Sequence, residues 1–341
     1  MNSTKFAPIG YGLLLLGLLA APFLGAYPVF VMKLLCFALF ASAFNLLLGY
    51  TGLLSFGHAA FLGGAAYVTG HAVKVWGATP ELGLLAGLLS GALLGLVMGF
   101  FAIRRQGIYA TMITLALAQM LFFACLQAPF TGGEDGLQGV SRGKLFGLID
   151  LSSDLVMYYV CVAVVTLAFL VIVRTIYSPF GQVLKGIKEN EARATSLGYD
   201  TNRFKLLAFV ISAALAGLAG ALKTLVLGFA TLSDVHWSSS GHVVLMTLVG
   251  GLGTLSGPLV GSAVVVLLEN KIGELGHFLA GLSGLEWFNT LGESVTIVTG
   301  LIFVVCVLAF RRGIMGELIH WVDRRYAERT GRKPPQSGGT H

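Results

Sequence analysis

The chain has 341 residues, of which 56 % are hydrophobic and only 11 % are charged, and its mean hydropathy is +0.83. A water-soluble globule needs more polar material to cover its surface, so the composition excludes that class and predicts a polytopic membrane protein. The net charge of +6 lies in loops that flank apolar runs, as membrane topology requires, and does not indicate nucleic acid binding.

Apolar runs long enough to cross a bilayer recur along the chain, each of about 20 residues. The first follows Lys5 as in a signal peptide, but no convincing cleavage site separates it from the next run, so an uncleaved helix is expected. The pattern predicts an all-α membrane protein. The candidate spans are 9–26, 28–48, 56–76, 82–103, 108–127, 155–173, 204–230, a glycine-broken stretch at 241–270, and 291–310.

Polar residues and glycines interrupt the apolar pattern between Asn45 and Gly64. Polar groups inside a membrane are costly and usually face the bundle interior or a substrate path. His58 fits two interpretations, a proton carrier or substrate contact, and a buried histidine satisfied by a backbone carbonyl. The candidate path residues in this segment are Asn45, Thr51, Ser55 and His58.

Glycine recurs at every fourth position in the fourth run. Residues at this spacing share one face of a helix, so the stripe predicts close helix packing. Small residues at Ala213, Gly217 and Ala221 line one side of a later run in the same way. The predicted packing glycines are Gly87, Gly91, Gly95 and Gly99.

Charge assigns the two sides of the membrane. The pair Arg104–Arg105, the segment 174–205 and the tail 311–341 are rich in cations, whereas the loop 128–154 carries more acidic than basic residues. Short basic loops stay in the cytoplasm, so these three regions are predicted to be cytoplasmic and the loop 128–154 periplasmic. Isolated lysines near span ends are expected to snorkel to the interface. They are Lys33, Lys74, Lys223 and Lys271.

Residues 174–205 form a polar island between apolar runs, with six cations and three acids. Gly181 and Gly198 bracket a segment in which the run KENEARATSLG has good helix formers and ends in glycine. This pattern predicts a short helix with a glycine cap. We expect the island to be a compact cytosolic platform that a partner protein pushes.

The stretch 241–270 contains several glycines and Pro258 near its middle, so it is predicted to form two short helices joined by a turn, both entered from the outer side. Irregular backbone survives in a membrane only where it is buried in protein or lines a wet cavity. Broken helices mark substrate paths in transporters, and a tight turn with packed glycines is the alternative. The glycines concerned are Gly250, Gly251, Gly253 and Gly257.

Signals of an enzyme are weak. The four cysteines lie in apolar runs without CxxC spacing, which is typical of small buried hydrophobic residues, so no disulfide or metal site is predicted. The run GGLGTLSG at 250–257 has the wrong spacing and setting for a dinucleotide site. No catalytic residue and no nucleotide site are predicted in this chain. The cysteines are Cys36, Cys125, Cys161 and Cys306.

Four blocks of sequence resemble the membrane permeases of ABC importers for branched-chain amino acids, and they occur in that family's order over most of residues 28–315. The blocks are GYTGLLSFGHAAFLGGAAYVTG (49–70), GIYATMITLALAQM (107–120), FGQVLKGIKENEARATSLGYDTNRFKLLAFVISAALAGLAGAL (180–222) and VVLMTLVGGLGTLSGPLVGSAVVVLLE (243–269).

The resemblance implies a single membrane domain over 1–341 with a type II ABC importer fold of about ten spans or partial spans, similar to cobalamin and ribose permeases. It implies a bacterial inner-membrane location with a cytoplasmic C-terminus, in contact with membrane lipid. The implied partners are a second homologous permease, two ATPase subunits and a periplasmic substrate-binding protein. ATP and Mg would be used by the ATPase subunits, and this chain would hold no cofactor.

Within the family, the island 174–205 looks like the coupling loop that contacts the ATPase. Glu191, Ala192 and Gly198 are similar to the EAA–G signature of importer permeases, with an interval of seven residues where the generic signature has six. The residues that the resemblance assigns to coupling are Gly181, Lys188, Glu189, Glu191, Ala192 and Gly198.

The substrate is not fixed by the sequence. Related permeases for urea and short amides share the architecture and are the first alternative. An ion-coupled secondary transporter would need an intramembrane carboxylate, and Glu269, Glu274 and Glu293 lie near predicted span ends or in the outer loop. A purely structural membrane subunit is the remaining alternative.

Overall fold

The structure is a computed structural model that describes residues 12, 14–25, 27–105, 107–283, 300, 301, 304, 313–318, 320 and 321. Most of the predicted span 291–310 and of the tail 311–341 lies outside the described residues, as does Cys306.

Helices make up most of the described chain. Their bounds are α1 (Leu14–Phe23), α2 (Pro28–Thr51), α3 (His58–Lys74), α4 (Pro80–Ala102), α5 (Ile108–Gln127), α6 (Asp154–Tyr177), α7 (Pro179–Glu189), α8 (Glu191–Ser196), α9 (Thr201–Leu227), α10 (Trp237–Gly250) and α11 (Gly257–Ser283). Four two-residue strands are β1 (Leu137–Gln138), β2 (Lys144–Leu145), β3 (Ile149–Asp150) and β4 (Phe229–Ala230).

Five described helices, α2, α4, α5, α6 and α9, are long and apolar enough to cross a membrane. The predicted all-α polytopic fold is therefore confirmed, and the figure of about ten spans stays a prediction. Proline occupies the first position of α2, α4 and α7, where its missing N–H costs nothing and its fixed φ suits a helix. Glycines in the left-handed conformation end α2 and α9, at Gly52 and Gly228.

Helix α9 is the centre of the bundle, in contact with α2, α3 and α4. In the most apolar stretch of α9, 67 % of the residues are buried, against 28 % in α4 and 22 % in α5. Helices α4 and α5 therefore turn broad apolar faces outward. Helix α6 packs on α2, and the hydroxyl of Tyr158 on α6 donates to the carbonyl of Leu18 on α1 at 2.5 Å.

The bundle has two ends, which we call the loop end and the island end. At the loop end, β1 of the acidic loop pairs antiparallel with β4, which follows α9. Lys74, at the last position of α3, donates from Nζ to the Gln138 carbonyl at 2.6 Å. The acidic loop 128–154 and the exit of α9 thus share one end, and α7 and α8 follow α6 at the other.

The predicted glycine stripe of α4 lies against the small residues of α9. A Cβ atom built on Gly91 would be 2.6 Å from the Ala213 carbonyl oxygen and 2.9 Å from Gly217 Cα, and one built on Gly217 would be 2.9 Å from Gly91 Cα. Gly87 faces Ala221 in the same way. The two backbones approach so closely that neither glycine leaves room for a side chain.

The structure corrects three details predicted from sequence. The island contains two helices, because the extended backbone of Asn190 separates α7 from α8. Gly181 lies inside the first turn of α7 and does not flank the helix. Helix α11 extends to Ser283, well past the predicted limit of 270.

Lys223 does not snorkel to the interface. Its side chain is buried in α9 and forms an ion pair with Asp234, which is buried in the short segment after β4. Asp234 also accepts hydrogen bonds from the backbone N–H and the hydroxyl of Thr231. Each charge is therefore compensated, as buried charges require.

Candidate functional site

The irregular segments of the bundle meet at the island end. They are residues 52–57, between α2 and α3, and residues 251–256, which we call the hairpin turn because they join α10 to α11. Both lie beside the last two turns of α2, and α7 lies over the end of that helix. This junction contains most of the candidate residues.

Asn45 binds the hairpin turn to α2. Its Nδ2 donates to the Thr254 carbonyl at 2.9 Å, and its Oδ1 accepts from the Gly253 N–H, also at 2.9 Å. Gly49 lies one helical turn later, and a Cβ there would be 2.8 Å from the Gly253 nitrogen. One buried amide thus satisfies two backbone groups of the turn.

The hairpin turn also closes on itself. The Thr254 hydroxyl donates to the Gly251 carbonyl at 2.8 Å and accepts from the Gly257 N–H at 3.1 Å. Gly251 and Gly253 have φ values of 120° and 73°, which L residues rarely adopt. Gly250 and Gly257 bring the backbones of α10 and α11 into contact. Packing alone accounts for these four glycines, and their role in a substrate path stays a prediction.

The backbone of residues 52–57 is satisfied by threonines of α5. Thr114 Oγ1 accepts from the Phe56 N–H at 3.2 Å, and Thr111 Oγ1 donates to the Leu54 carbonyl at 3.3 Å. Ser55 Oγ accepts from the Gly57 N–H at 3.2 Å. The sequence analysis missed the two threonines, although their spacing of three on one face of an apolar helix was a usable signal.

His58 lies in the packed interior and does not face the hairpin turn. The Ser212 hydroxyl donates to the Ala43 carbonyl at 2.6 Å, so it must accept from His58 Nε2, which is 2.9 Å away. The ring packs edge-on against Phe44 and Phe61, with centroids 4.9 Å and 5.3 Å apart. The geometry favours a packing histidine, held by a serine hydroxyl where the sequence suggested a backbone carbonyl.

Thr51 also stands apart from the hairpin turn, since its hydroxyl donates to the Leu46 carbonyl of its own helix at 3.4 Å. Of the predicted path residues, the structure therefore brings Asn45 together with the four glycines and places Ser55 in the neighbouring irregular segment. It does not bring Thr51 or His58 to that group.

Lys188 connects the island to α2. Its Nζ donates to the Gly49 carbonyl at 2.7 Å, and its side chain lies over Gly52, the glycine that ends α2. A lysine in this position satisfies a free carbonyl in the last turn and complements the negative end of the helix dipole. Ser178 fixes the start of α7 by accepting from the Gly181 N–H at 3.3 Å.

Helix α8 is fixed on α9 by an ion pair. Glu191 lies 2.5 Å from Nζ of Lys205, whose side chain is only 5 % exposed. Asn190 caps α8 by accepting from the Arg193 N–H at 2.9 Å. Glu191 therefore points into the protein and positions α8, whereas Glu189 and Ala192 are exposed.

Gly198 ends α8 in a Schellman motif with a φ of +89°. The Gly198 N–H donates to the Thr195 carbonyl at 2.9 Å, and the Tyr199 N–H donates to the Ala194 carbonyl at 3.2 Å. Leu197, just before the glycine, is 70 % exposed. The end of α8 thus presents a rigid turn with an apolar tip.

Gly313 places the start of the tail at the same end. A Cβ on this residue would be 2.5 Å from the Gly251 nitrogen and 2.9 Å from the Leu248 carbonyl oxygen. The hairpin turn is therefore enclosed between α2 on one side and residue 313 on another.

One acidic side chain and one histidine of the hairpin lie side by side. Glu269 lies near the end of the apolar stretch Gly257–Asn270 of α11, as predicted, and its Oε1 is 3.2 Å from Nδ1 of His242 on α10. The residues that the structure describes contain no group of three or more His, Cys, Asp or Glu side chains arranged to hold a metal ion.

Comparison with known proteins identifies relatives of this chain. The family described as the permease component of the branched-chain amino acid transport system matches residues 29–310. The high-affinity branched-chain amino acid transport system permease protein LivM of Escherichia coli is 29 % identical over 59 % of this chain and 52 % of the relative. The protein of the same name in Salmonella typhimurium is 30 % identical over the same shares.

A probable branched-chain amino acid transport permease protein LivM of Methanocaldococcus jannaschii is 23 % identical over 48 % of this chain and 50 % of its own length. The chain thus spans about half the length of the curated relatives it matches. No solved structure matches it.

Proposed function

Because the chain belongs to the family of branched-chain amino acid transport system permease components, we propose that it is the membrane subunit of an ATP-driven importer for branched-chain or similar small apolar amino acids. It forms half of the translocation path beside a second permease. It hydrolyses no ATP itself, because two ATPase subunits supply that reaction, and a periplasmic binding protein delivers the substrate. Urea and short amides remain the alternative substrates.

In this proposal the island end faces the cytosol and the loop end faces the periplasm. The cation surplus of residues 174–205 and the acidic character of residues 128–154 support this orientation. The exposed tip of α8, with Leu197, Ala192 and Gly198, is the surface that seats on the ATPase. Glu191 holds that surface in place through Lys205.

One observation carries the mechanism: the same two turns of α2 bind both the island and the hairpin turn. Lys188 donates to the Gly49 carbonyl, and Asn45, one turn earlier, binds Gly253 and Thr254. A movement of α7 and α8 driven by the ATPase reaches the hairpin turn through this short stretch of helix. The hairpin turn bounds the inner end of the substrate path and moves as a rigid body with α2.

The experiment compares one substitution at opposite ends of the molecule. Leu197→Asp places a charge on the exposed tip of α8, and Leu148→Asp places the same charge on an 88 % exposed leucine of the acidic loop. The assembly is isolated through a tag on this chain, and ATPase subunits and leucine-stimulated ATP hydrolysis are measured. We expect Leu197→Asp to lose both and Leu148→Asp to retain both.

Full retention of the ATPase subunits by Leu197→Asp would contradict the proposed docking surface. The substrate class is tested separately in proteoliposomes, where unlabelled leucine, isoleucine and valine should compete with labelled leucine for uptake. Competition by urea and acetamide alone would support the alternative.

A further inference from the structure

A groove of about 550 Å³ opens on the outside of the bundle at the island end, between the end of α4 and the first half of α5. Its lining combines two arginines with apolar side chains. The lining residues are Phe101, Arg104, Arg105, Ile113, Ala116 and Leu117. None of them takes part in the contacts among α2, α7 and the hairpin turn.

The two arginines form the polar rim of the groove. Both are exposed, and neither has an ion pair within the part of the chain that the structure describes. The Arg104 guanidinium is 4.1 Å from the centroid of the Phe100 ring, a cation–π contact that limits its range of positions. Two adjacent uncompensated guanidinium groups are suited to a phosphate.

The apolar wall continues from the rim toward the middle of the membrane. Ile113, Ala116 and Leu117 are spaced three and four apart on α5, so they share one face. Phe101 on α4 is 50 % exposed on the opposite side of the groove. These helices are the least buried of the five spanning helices, so this face meets lipid unless another protein covers it.

We propose that this groove binds an anionic phospholipid of the leaflet at the island end. The phosphate lies between Arg104 and Arg105, and an acyl chain lies along Phe101, Ile113 and Leu117. The charge of the rim matches a lipid phosphate, and its depth matches the headgroup layer, because both arginines follow directly on the last turn of a spanning helix. A free phosphate ion would leave the apolar wall exposed.

The test measures lipid binding to the assembly isolated through a tag on this chain. Native mass spectrometry follows the first adduct during titration with phosphatidylglycerol or phosphatidylcholine carrying the same acyl chains. We expect phosphatidylglycerol to bind more tightly. The double variant Arg104→Gln, Arg105→Gln should weaken that adduct roughly 25-fold, about fivefold for each charge, with no change for phosphatidylcholine.

The matched control is Arg174→Gln. It removes an exposed arginine that lies on α6, also at the island end of the bundle but away from the groove. It should leave the adduct unchanged. Ala116→Trp keeps both arginines but fills the space along the apolar wall, so it should weaken phosphatidylglycerol binding. This variant tests the proposal independently if the double variant fails to fold.

Three results would overturn the proposal. The first is equal affinity for the two lipids in the native chain. The second is displacement of phosphatidylglycerol by millimolar inorganic phosphate, which would make the site one for a free ion. The third is binding to the isolated chain but not to the assembly, which would show that a protein partner covers the groove.

Discussion

Asn45 shows at the residue scale how much one buried amide can support. It is the side chain that satisfies both the Gly253 N–H and the Thr254 carbonyl across the interface between α2 and the hairpin turn. In a membrane interior, backbone groups without a partner cost several kcal/mol each. The two hydrogen bonds of this side chain therefore stabilise the turn more than the packing of one small side chain would.

We expect Asn45→Leu, which keeps the volume of the side chain, to lower the free energy of unfolding by about 2–5 kcal/mol because two backbone groups lose their partners. Ser42→Ala is the control, since the buried Ser42 hydroxyl donates only to Ala38 of its own helix and its loss should cost little. The measurement is thermal unfolding in detergent. Equal melting temperatures for Asn45→Leu and the native chain would show that the turn does not depend on this amide.

At the element scale, the packing of α4 on α9 sets how close two backbones come. The two closely packed faces could be anticipated, because glycines every four residues on one run and small residues every four on another are each visible in the sequence. The contacts between them bring together Gly91 and Ala213, which are far apart along the chain, and periodicity cannot assign a partner at that separation.

Gly91→Ala and Gly241→Ala should have opposite effects on stability. A Cβ at 91 would lie 2.6 Å from the Ala213 carbonyl oxygen, so the helices must separate, at a cost of about 1–3 kcal/mol. A Cβ at 241 meets no atom within 4 Å, and alanine favours the helix by up to about 1 kcal/mol. Denaturation in detergent compares the two. A Gly91→Ala variant as stable as Gly241→Ala would refute close packing at this face.

For the whole molecule, hydropathy located the five spanning helices that the structure describes within a few residues, as in the predicted 108–127 and the observed Ile108–Gln127. The length of an apolar run and the positions of its glycines are local properties, so they can be read directly from the sequence. The junction of the island with α2 could not be predicted, because Lys188 and Gly49 are 139 positions apart. The break at Asn190 could have been expected, since asparagine is a strong helix N-cap.

The proposed orientation predicts that the two ends are labelled from opposite sides of the membrane. Leu148→Cys in the acidic loop and Arg203→Cys on the island are both at well exposed positions, whereas the cysteines that the structure describes are buried. A membrane-impermeant maleimide applied to intact spheroplasts should modify position 148 alone, and inverted vesicles should reverse the result. The native chain serves as the blank. Labelling of both positions from one side would rule out the topology.

The ion pair between Lys223 and Asp234 affects the order of events during membrane insertion of the chain. The lysine emerges from the ribosome 11 residues before the aspartate that neutralises it. A lone lysine at the middle of a span costs about 2.5–3.5 kcal/mol, less toward the interface, and that penalty persists until its counterion arrives. Helix α9 therefore carries an uncompensated cation until residue 234 has also left the ribosome, so a nascent chain arrested between the two holds a membrane segment whose lysine has no counterion.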